Sequence, residues 1–165
     1  MTSPSRRPIL VLALGNDLLG DDGVALLAAR ALQEEFADGA DIVETSEAGL
    51  ALLESLEGYE RALILDSITT GQHAPGTVLE LAPEDFRALA APSPHYAGLP
   101  DVLELGRRLG VSMPAQLRIL VMEIAAPGAL GGALTAPIAG ALPSFVSRAR
   151  AILREDASHR KPGAA

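Results

Sequence analysis

The sequence lacks cysteine and tryptophan altogether, and aromatic residues make up only 3% of its 165 positions. Without cysteine there is no disulfide, no thiolate nucleophile and no cysteine-ligated zinc or iron–sulfur site, so any metal must be held by carboxylate or imidazole groups. The shortage of aromatic side chains leaves little material for a base-stacking surface. Basic residues are outnumbered 13 to 21, and the net charge of −8 repels phosphate backbones. We therefore expect no nucleic-acid partner.

A long hydrophobic segment is also missing. No stretch approaches the ~20 apolar residues that cross a bilayer, so we expect no membrane partner. Arg6 and Arg7 precede an apolar run and resemble a twin-arginine export signal. The run itself, from Pro8 to Leu14, is short for such a signal, no A-x-A-like cleavage site follows it, and its length suits a buried strand. We expect a cytoplasmic protein that acts as a monomer.

Hydrophobic periodicity divides the chain into alternating strands and helices. The patterns predict strands at 9–14, 41–46, 61–68, 76–82 and 115–124, and helices at 24–36, 48–58, 99–110 and 136–155. This alternation predicts an α/β three-layer sandwich, in which about five strands form a mostly parallel, twisted sheet with helices on both faces. The length suits a single domain over residues 1–155, and we expect the polar tail 156–165 to be disordered.

Three aspartates fall where such a sheet binds ligands. If the chain winds outward from strand one and then returns past it, strands one and three are neighbours, and ligands bind at their carboxyl ends. Asp21 and Asp22 follow strand one in the segment LGNDLLGDDG, and Asp66 ends strand three. All three therefore face one crevice.

Each of these aspartates also has a purely structural explanation. One of the adjacent pair could cap the helix that begins near Gly23, which would leave the other free to point into the crevice. Asp66 could bind the backbone amides of the loop SITTGQ that follows it. Position favours function for Asp66, because a carboxylate at the end of a buried strand is rare unless it is paired, hydrogen-bonded or metal-bound.

Histidine supplies the remaining candidate ligand. His95 lies in PSPHYAGL, where two prolines stiffen the loop, and His73 in a Gly- and Pro-flanked turn is the competing candidate. The structural alternative is that a lone histidine in a loop is simply exposed to solvent. His159 lies in the tail and is not a candidate. Carboxylates together with an imidazole suit a divalent first-row ion such as nickel, zinc or manganese, and the stability order favours nickel over manganese. Residue patterns of serine hydrolases, zincins and P-loop NTPases are missing from the sequence.

Three motifs together resemble the hydrogenase maturation endopeptidases. They are ILVLALGNDLLGDDGVALLAARAL (9–32), LILDSI (63–68) and PSPHYAGLPDVL (92–103), and Leu134–Pro137 matches the family's L-S/T-P before the last helix. The match covers residues 8 to 150 and keeps the motif order and spacing. The chain departs from the family at three places: Asp22 replaces a frequent Glu, Thr45-Ser46-Glu47 replaces G-G-T, and 123–126 replaces G-I-x-P.

The resemblance implies a specific activity. Family members remove a C-terminal peptide from the large-subunit precursor of nickel–iron hydrogenase after nickel insertion, and they recognise that nickel directly. Carried over by motif, Asp22, Asp66 and His95 would contact the metal and form the catalytic site, with nickel supplied by the substrate and no organic cofactor. The departures at 45–47 and 123–126 bear on substrate preference more than on reaction type, whereas the shorter side chain of Asp22 should only shift the carboxylate slightly.

Two other functions remain compatible with the sequence. The crevice could serve a non-catalytic factor that checks nickel during hydrogenase assembly, because no dedicated nucleophile is visible. It could also belong to a doubly wound domain that binds a small ligand or nucleotide at residues 15–23, although adjacent aspartates oppose phosphate electrostatically.

Overall fold

The computed structural model describes residues 7–87, 99–126 and 130–158. The five strands are β1 (Arg7–Leu14), β2 (Asp41–Thr45), β3 (Tyr59–Ile68), β4 (Val78–Leu81) and β5 (Gln116–Glu123). The helices are α1 (Val24–Leu32), α2 (Ala51–Leu56), α3 (Leu99–Arg108) and α4 (Ala136–Ser158), with two short 3-10 helices at Gly20–Gly23 and Pro83–Arg87. The predicted α/β fold with a five-stranded, mostly parallel sheet is confirmed.

The sheet has the strand order β2-β1-β3-β5-β4. β1 pairs in parallel with both β2 and β3, and β3 pairs in parallel with β5. β4 is the antiparallel edge strand and pairs with β5. Because β1 leads to β2 on one side and lies against β3 on the other, the switch point falls between the carboxyl ends of β1 and β3, as predicted.

Two apolar clusters fill the space on either side of the sheet. Alternate residues of β1 and β3 point to opposite faces, so Val11 and Leu63 contact the layer of α1 and α4, while Leu12 and Ile64 contact the layer of α2 and α3. Burying one such aliphatic side chain completely stabilises the fold by roughly 1.5–3 kcal/mol. The strand ends are thereby held rigidly from both faces.

All four helices differ from the sequence prediction at one end or both, and α2 (Ala51–Leu56) and α3 (Leu99–Arg108) are shorter than the predicted 48–58 and 99–110. α1 ends at Leu32 rather than Phe36, and Leu27, expected on its buried face, is 36% exposed. α4 continues through Ser158, past the predicted end at 155, because Asp156 is buried and its carbonyl oxygen accepts a hydrogen bond from Arg61. The first three residues of the expected tail are therefore helical. No described helix is both long enough and apolar enough to cross a membrane.

Candidate functional site

The segment between β1 and α1 folds back tightly on itself. A Cβ atom on Gly15 would lie 2.3 Å from the backbone oxygen of Asp22, and one on Gly23 would lie 2.9 Å from the Cα atom of Asp17. Real side chains do not tolerate such distances, so glycine is required at both positions. The two glycines allow the chain to return Asp22 to the end of β1 from which it departed.

Asp22 is held at the switch point by two hydrogen bonds. Its Oδ2 atom accepts a hydrogen bond from the backbone N–H of Asn16 at 2.9 Å, and its Oδ1 atom accepts one from the Ser67 hydroxyl at 3.1 Å. The residue is 9% exposed. A carboxylate has about four acceptor positions, so Asp22 keeps capacity for a further donor or a cation.

Asp66 approaches the same serine from the neighbouring position in β3. Its Oδ1 atom accepts a hydrogen bond from the backbone N–H of Ser67 at 2.7 Å, and the residue is fully buried. Ser67 pairs with Met122 of β5, but the β1–β3 ladder ends at the pair Ala13 and Leu65, so on the side of β1 the Asp66 carboxylate takes the place of a strand partner. Ser67 thus joins the two carboxylates, one through its hydroxyl and one through its amide.

Asp21 has a different role from its neighbour. Its two carboxylate oxygens accept hydrogen bonds from the backbone N–H and the hydroxyl of Thr135, at 2.7 and 2.8 Å. Leu19 also forms an isolated bridge with Gly132. Asp21 therefore fastens the β1–α1 segment to the start of α4. Neither the 3-10 helix Gly20–Gly23 nor α1 has a side-chain hydrogen bond at its N-cap. The explanation that Asp21 or Asp22 caps a helix is therefore wrong.

Glu123, at the end of β5, is a buried carboxylate that the sequence prediction did not single out. It is 1% exposed, and it accepts hydrogen bonds from the backbone N–H and hydroxyl of Thr70 and from the N–H of Gly71. Glu123 therefore binds the loop after β3, a structural role that the sequence prediction considered for Asp66 alone, and Asp66 accepts one amide of the same segment, that of Ser67. The signal was available in QLRILVME, where an acidic residue follows an apolar run just as Asp66 does.

The two candidate histidines have different outcomes. His95 lies outside the described residues, so its predicted place beside the aspartates stays a prediction. His73 is exposed and lines a cavity bounded by the loop after β3 and by β4. Among the residues that the structure describes, no group of three or more histidine or acidic side chains forms a ready-made metal site. Asp22 and Asp66 can supply two ligands, and a third must come from elsewhere.

The arrangement suits a cation rather than an anion. Two carboxylates lie on either side of Ser67 at the switch point, in a chain of net charge −8, where an anionic ligand would be repelled. Oxygen ligands of this kind bind divalent ions, and they can also accept a proton from an attacking water.

Comparisons with known proteins identify the family to which the chain is similar. The family model of the hydrogenase maturation proteases matches residues 26–152. The chain is 34% identical over 116 residues to the hydrogenase 2 maturation protease of Escherichia coli K12, with 68% of this chain and 70% of that protein covered.

Solved structures show the same relationship. The hydrogenase maturating endopeptidase HybD of E. coli superposes with a TM-score of 0.76 at 29% identity, covering 90% of this chain and 93% of that one. The [NiFe] hydrogenase maturation protease HybD of Thermococcus kodakarensis gives a TM-score of 0.66 at 30% identity, covering 88% and 99%. Sequence and fold agree, and the chain belongs to the hydrogenase maturation protease family.

Proposed function

We propose that this protein is the endopeptidase that removes a C-terminal peptide from the nickel-loaded large-subunit precursor of a nickel–iron hydrogenase. The observation that carries the proposal is the pair Asp22 and Asp66, hydrogen-bonded to one serine at the switch point of a family member. The names of its relatives, which include a hydrogenase 2 maturation protease, support the substrate class.

In this proposal the two aspartates and His95 contact the nickel ion that the precursor carries. Binding a cation relieves the repulsion between neighbouring carboxylates, whereas a precursor without nickel offers nothing to offset it. The site would thereby discriminate loaded from unloaded substrate. Asp66 has no exposed surface, so productive binding requires a rearrangement that uncovers this side chain.

Hydrolysis then needs a water molecule to attack the scissile carbonyl carbon, with proton transfer from the water and to the leaving amine. Either the substrate's nickel or a carboxylate of the pair can activate that water. The main contribution of the chain's own residues is to hold the scissile bond at a fixed place beside the strand ends. A displacement of 1 Å at such a site can cost ~100-fold in rate.

The test is to incubate the purified protein with nickel-loaded precursor and to follow the mass of the large subunit. We expect the wild-type protein to release a short C-terminal peptide, and Asp22→Asn and His95→Ala to slow that release by roughly 100-fold. Asp17→Asn is the matched control, because Asp17 lies in the same loop but is exposed and paired with Arg30. Normal cleavage by both site variants would refute the assignment, and a wild-type protein that binds the precursor without shortening it would refute the activity.

A further inference from the structure

A second feature lies beside the aspartates and is not used by the proposed function. A cavity of about 370 Å³ is bounded by the loop after β3 and by β4. Its apolar lining comes from Ile68, Leu79 and Leu81, and its polar lining includes Thr70, Gln72 and His73. Ligand cavities in proteins run from about 300 to 1,000 Å³, so this one is at the small end of that range.

The cavity lies on the same face of the sheet as Asp66. In the register of the sheet, Asp66 is opposite Val121, and Val121 is opposite Leu79. Residues directly opposite each other point to the same face, and two strand spacings separate Asp66 from Leu79 by about 10 Å. Ile68 also shares that face, because it is two positions beyond Asp66 in β3. The strand spacing therefore places the cavity within reach of a polypeptide that is bound at Asp66 and runs toward β4.

The wall of the cavity is fixed before any ligand binds. Glu123 accepts hydrogen bonds of 2.7 and 2.8 Å from Thr70 and of 2.8 Å from Gly71, and it is itself buried. The Thr70 hydroxyl also accepts a hydrogen bond from the N–H of Gln72. A site whose wall is held in this way loses little conformational entropy when a ligand enters it.

We infer that this cavity is the subsite that receives one apolar side chain of the substrate polypeptide close to the scissile bond. The inference rests on the proposed function. The apolar lining of Ile68, Leu79 and Leu81 matches an aliphatic or methionine side chain, and the exposed side-chain amide of Gln72 can bind an adjoining peptide group.

The first test fills the cavity. We expect Leu79→Phe to raise KM for the nickel-loaded precursor, and so to lower kcat/KM by roughly tenfold, since one or a few methylene groups change specificity by that amount. Wild-type cleavage, mapped by mass, identifies the bond. Precursors in which single residues flanking that bond are changed to alanine are then offered to both proteins. On one of these alanine-substituted precursors, Leu79→Phe should cleave nearly as fast as the wild-type protein does.

A second variant keeps the test valid if Leu79→Phe fails to fold. Gln72→Trp narrows the cavity from an exposed position and should raise KM in the same way. Gln33→Trp is its matched control, because Gln33 is an exposed residue that lines a different cavity, beside the first residues of β2 and β3, and should leave KM unchanged.

The outcomes separate the two proposals. If the wild-type protein cleaves the precursor and the folded variants match it on every substrate, or lose activity equally on all of them, the subsite is wrong while the activity stands. If the wild-type protein cleaves no precursor, the proposed function is wrong and the subsite is overturned with it.

Discussion

Gly15 determines whether Asp22 can return to the end of β1. We expect Gly15→Ala to lower the free energy of unfolding by roughly 1–3 kcal/mol, because its Cβ atom would overlap the backbone oxygen of Asp22. Gly140→Ala is the matched control. Gly140 lies in α4 with open space around it, so alanine there should raise stability by up to about 1 kcal/mol. Urea unfolding followed by circular dichroism measures the free energy of unfolding of both variants. Equal changes in the two variants would contradict the steric explanation for Gly15.

At this scale the sequence predicted where the acidic residues are but not what they bind. Asp22 and Asp66 were placed at one crevice because carboxyl ends of neighbouring parallel strands meet there, and the structure brings both to Ser67. The partner of Asp21, Thr135, is 114 positions away, and no local pattern reveals a hydrogen bond over that separation. Local reasoning therefore offered a helix cap as the structural explanation, and that explanation is wrong.

At the scale of elements, β4, β5 and α4 are joined by a charged cluster. Arg118 of β5 contacts Glu80 of β4 and Glu155 of α4, and Arg148 of α4 contacts Glu80 as well. Hydrogen bonds from Arg118 hold the pKa of Glu80 below its ordinary value, and Arg148 adds to this effect. A carboxyl group with a lowered pKa in the folded state stabilises the fold above its ordinary pKa and loses that contribution as the pH falls.

We accordingly expect Glu80→Gln to reduce stability at pH 7 by up to about 1 kcal/mol, which corresponds to roughly 2–4 °C in Tm. The difference from wild type should disappear as the pH is lowered below 4.5, the ordinary pKa of the group. Thermal melts at several pH values measure this. Glu104→Gln, which breaks only the more exposed contacts with Arg107 and Arg108, should have a smaller effect. A pH-independent difference would argue against a charge effect.

Strands and helices were predictable because their apolar periodicity is local, and all five strands were found near their predicted bounds. The antiparallel pairing of β4 was not predictable in the same way. β4 follows β3 in the chain yet pairs with β5, which is formed by residues more than thirty positions later. The end of α4 depended similarly on a distant partner, since Arg61 binds the carbonyl oxygen of Asp156.

At the scale of the whole molecule, Asp21 and Thr135 connect the first part of the chain to its last helix. We expect Thr135→Val to lower the free energy of unfolding by roughly 1–3 kcal/mol, because it leaves one oxygen of a carboxylate that is 3% exposed without its hydroxyl donor. Thr135→Ser should restore most of the loss. Thr77→Val, which removes an exposed hydroxyl bond to Ala74, should cost less. Equal stability of Thr135→Val and wild type in urea would contradict this role.

The same contact has a consequence for the timing of synthesis. Domains begin to fold while the chain is still emerging from the ribosome. A nascent chain that has emerged only as far as β5 already contains Asp22, Asp66 and Glu123, yet it lacks the threonine that anchors the loop bearing Asp22. The acidic pair would therefore gain its final placement only after Thr135 and α4 have emerged, so translation itself delays the appearance of a competent enzyme.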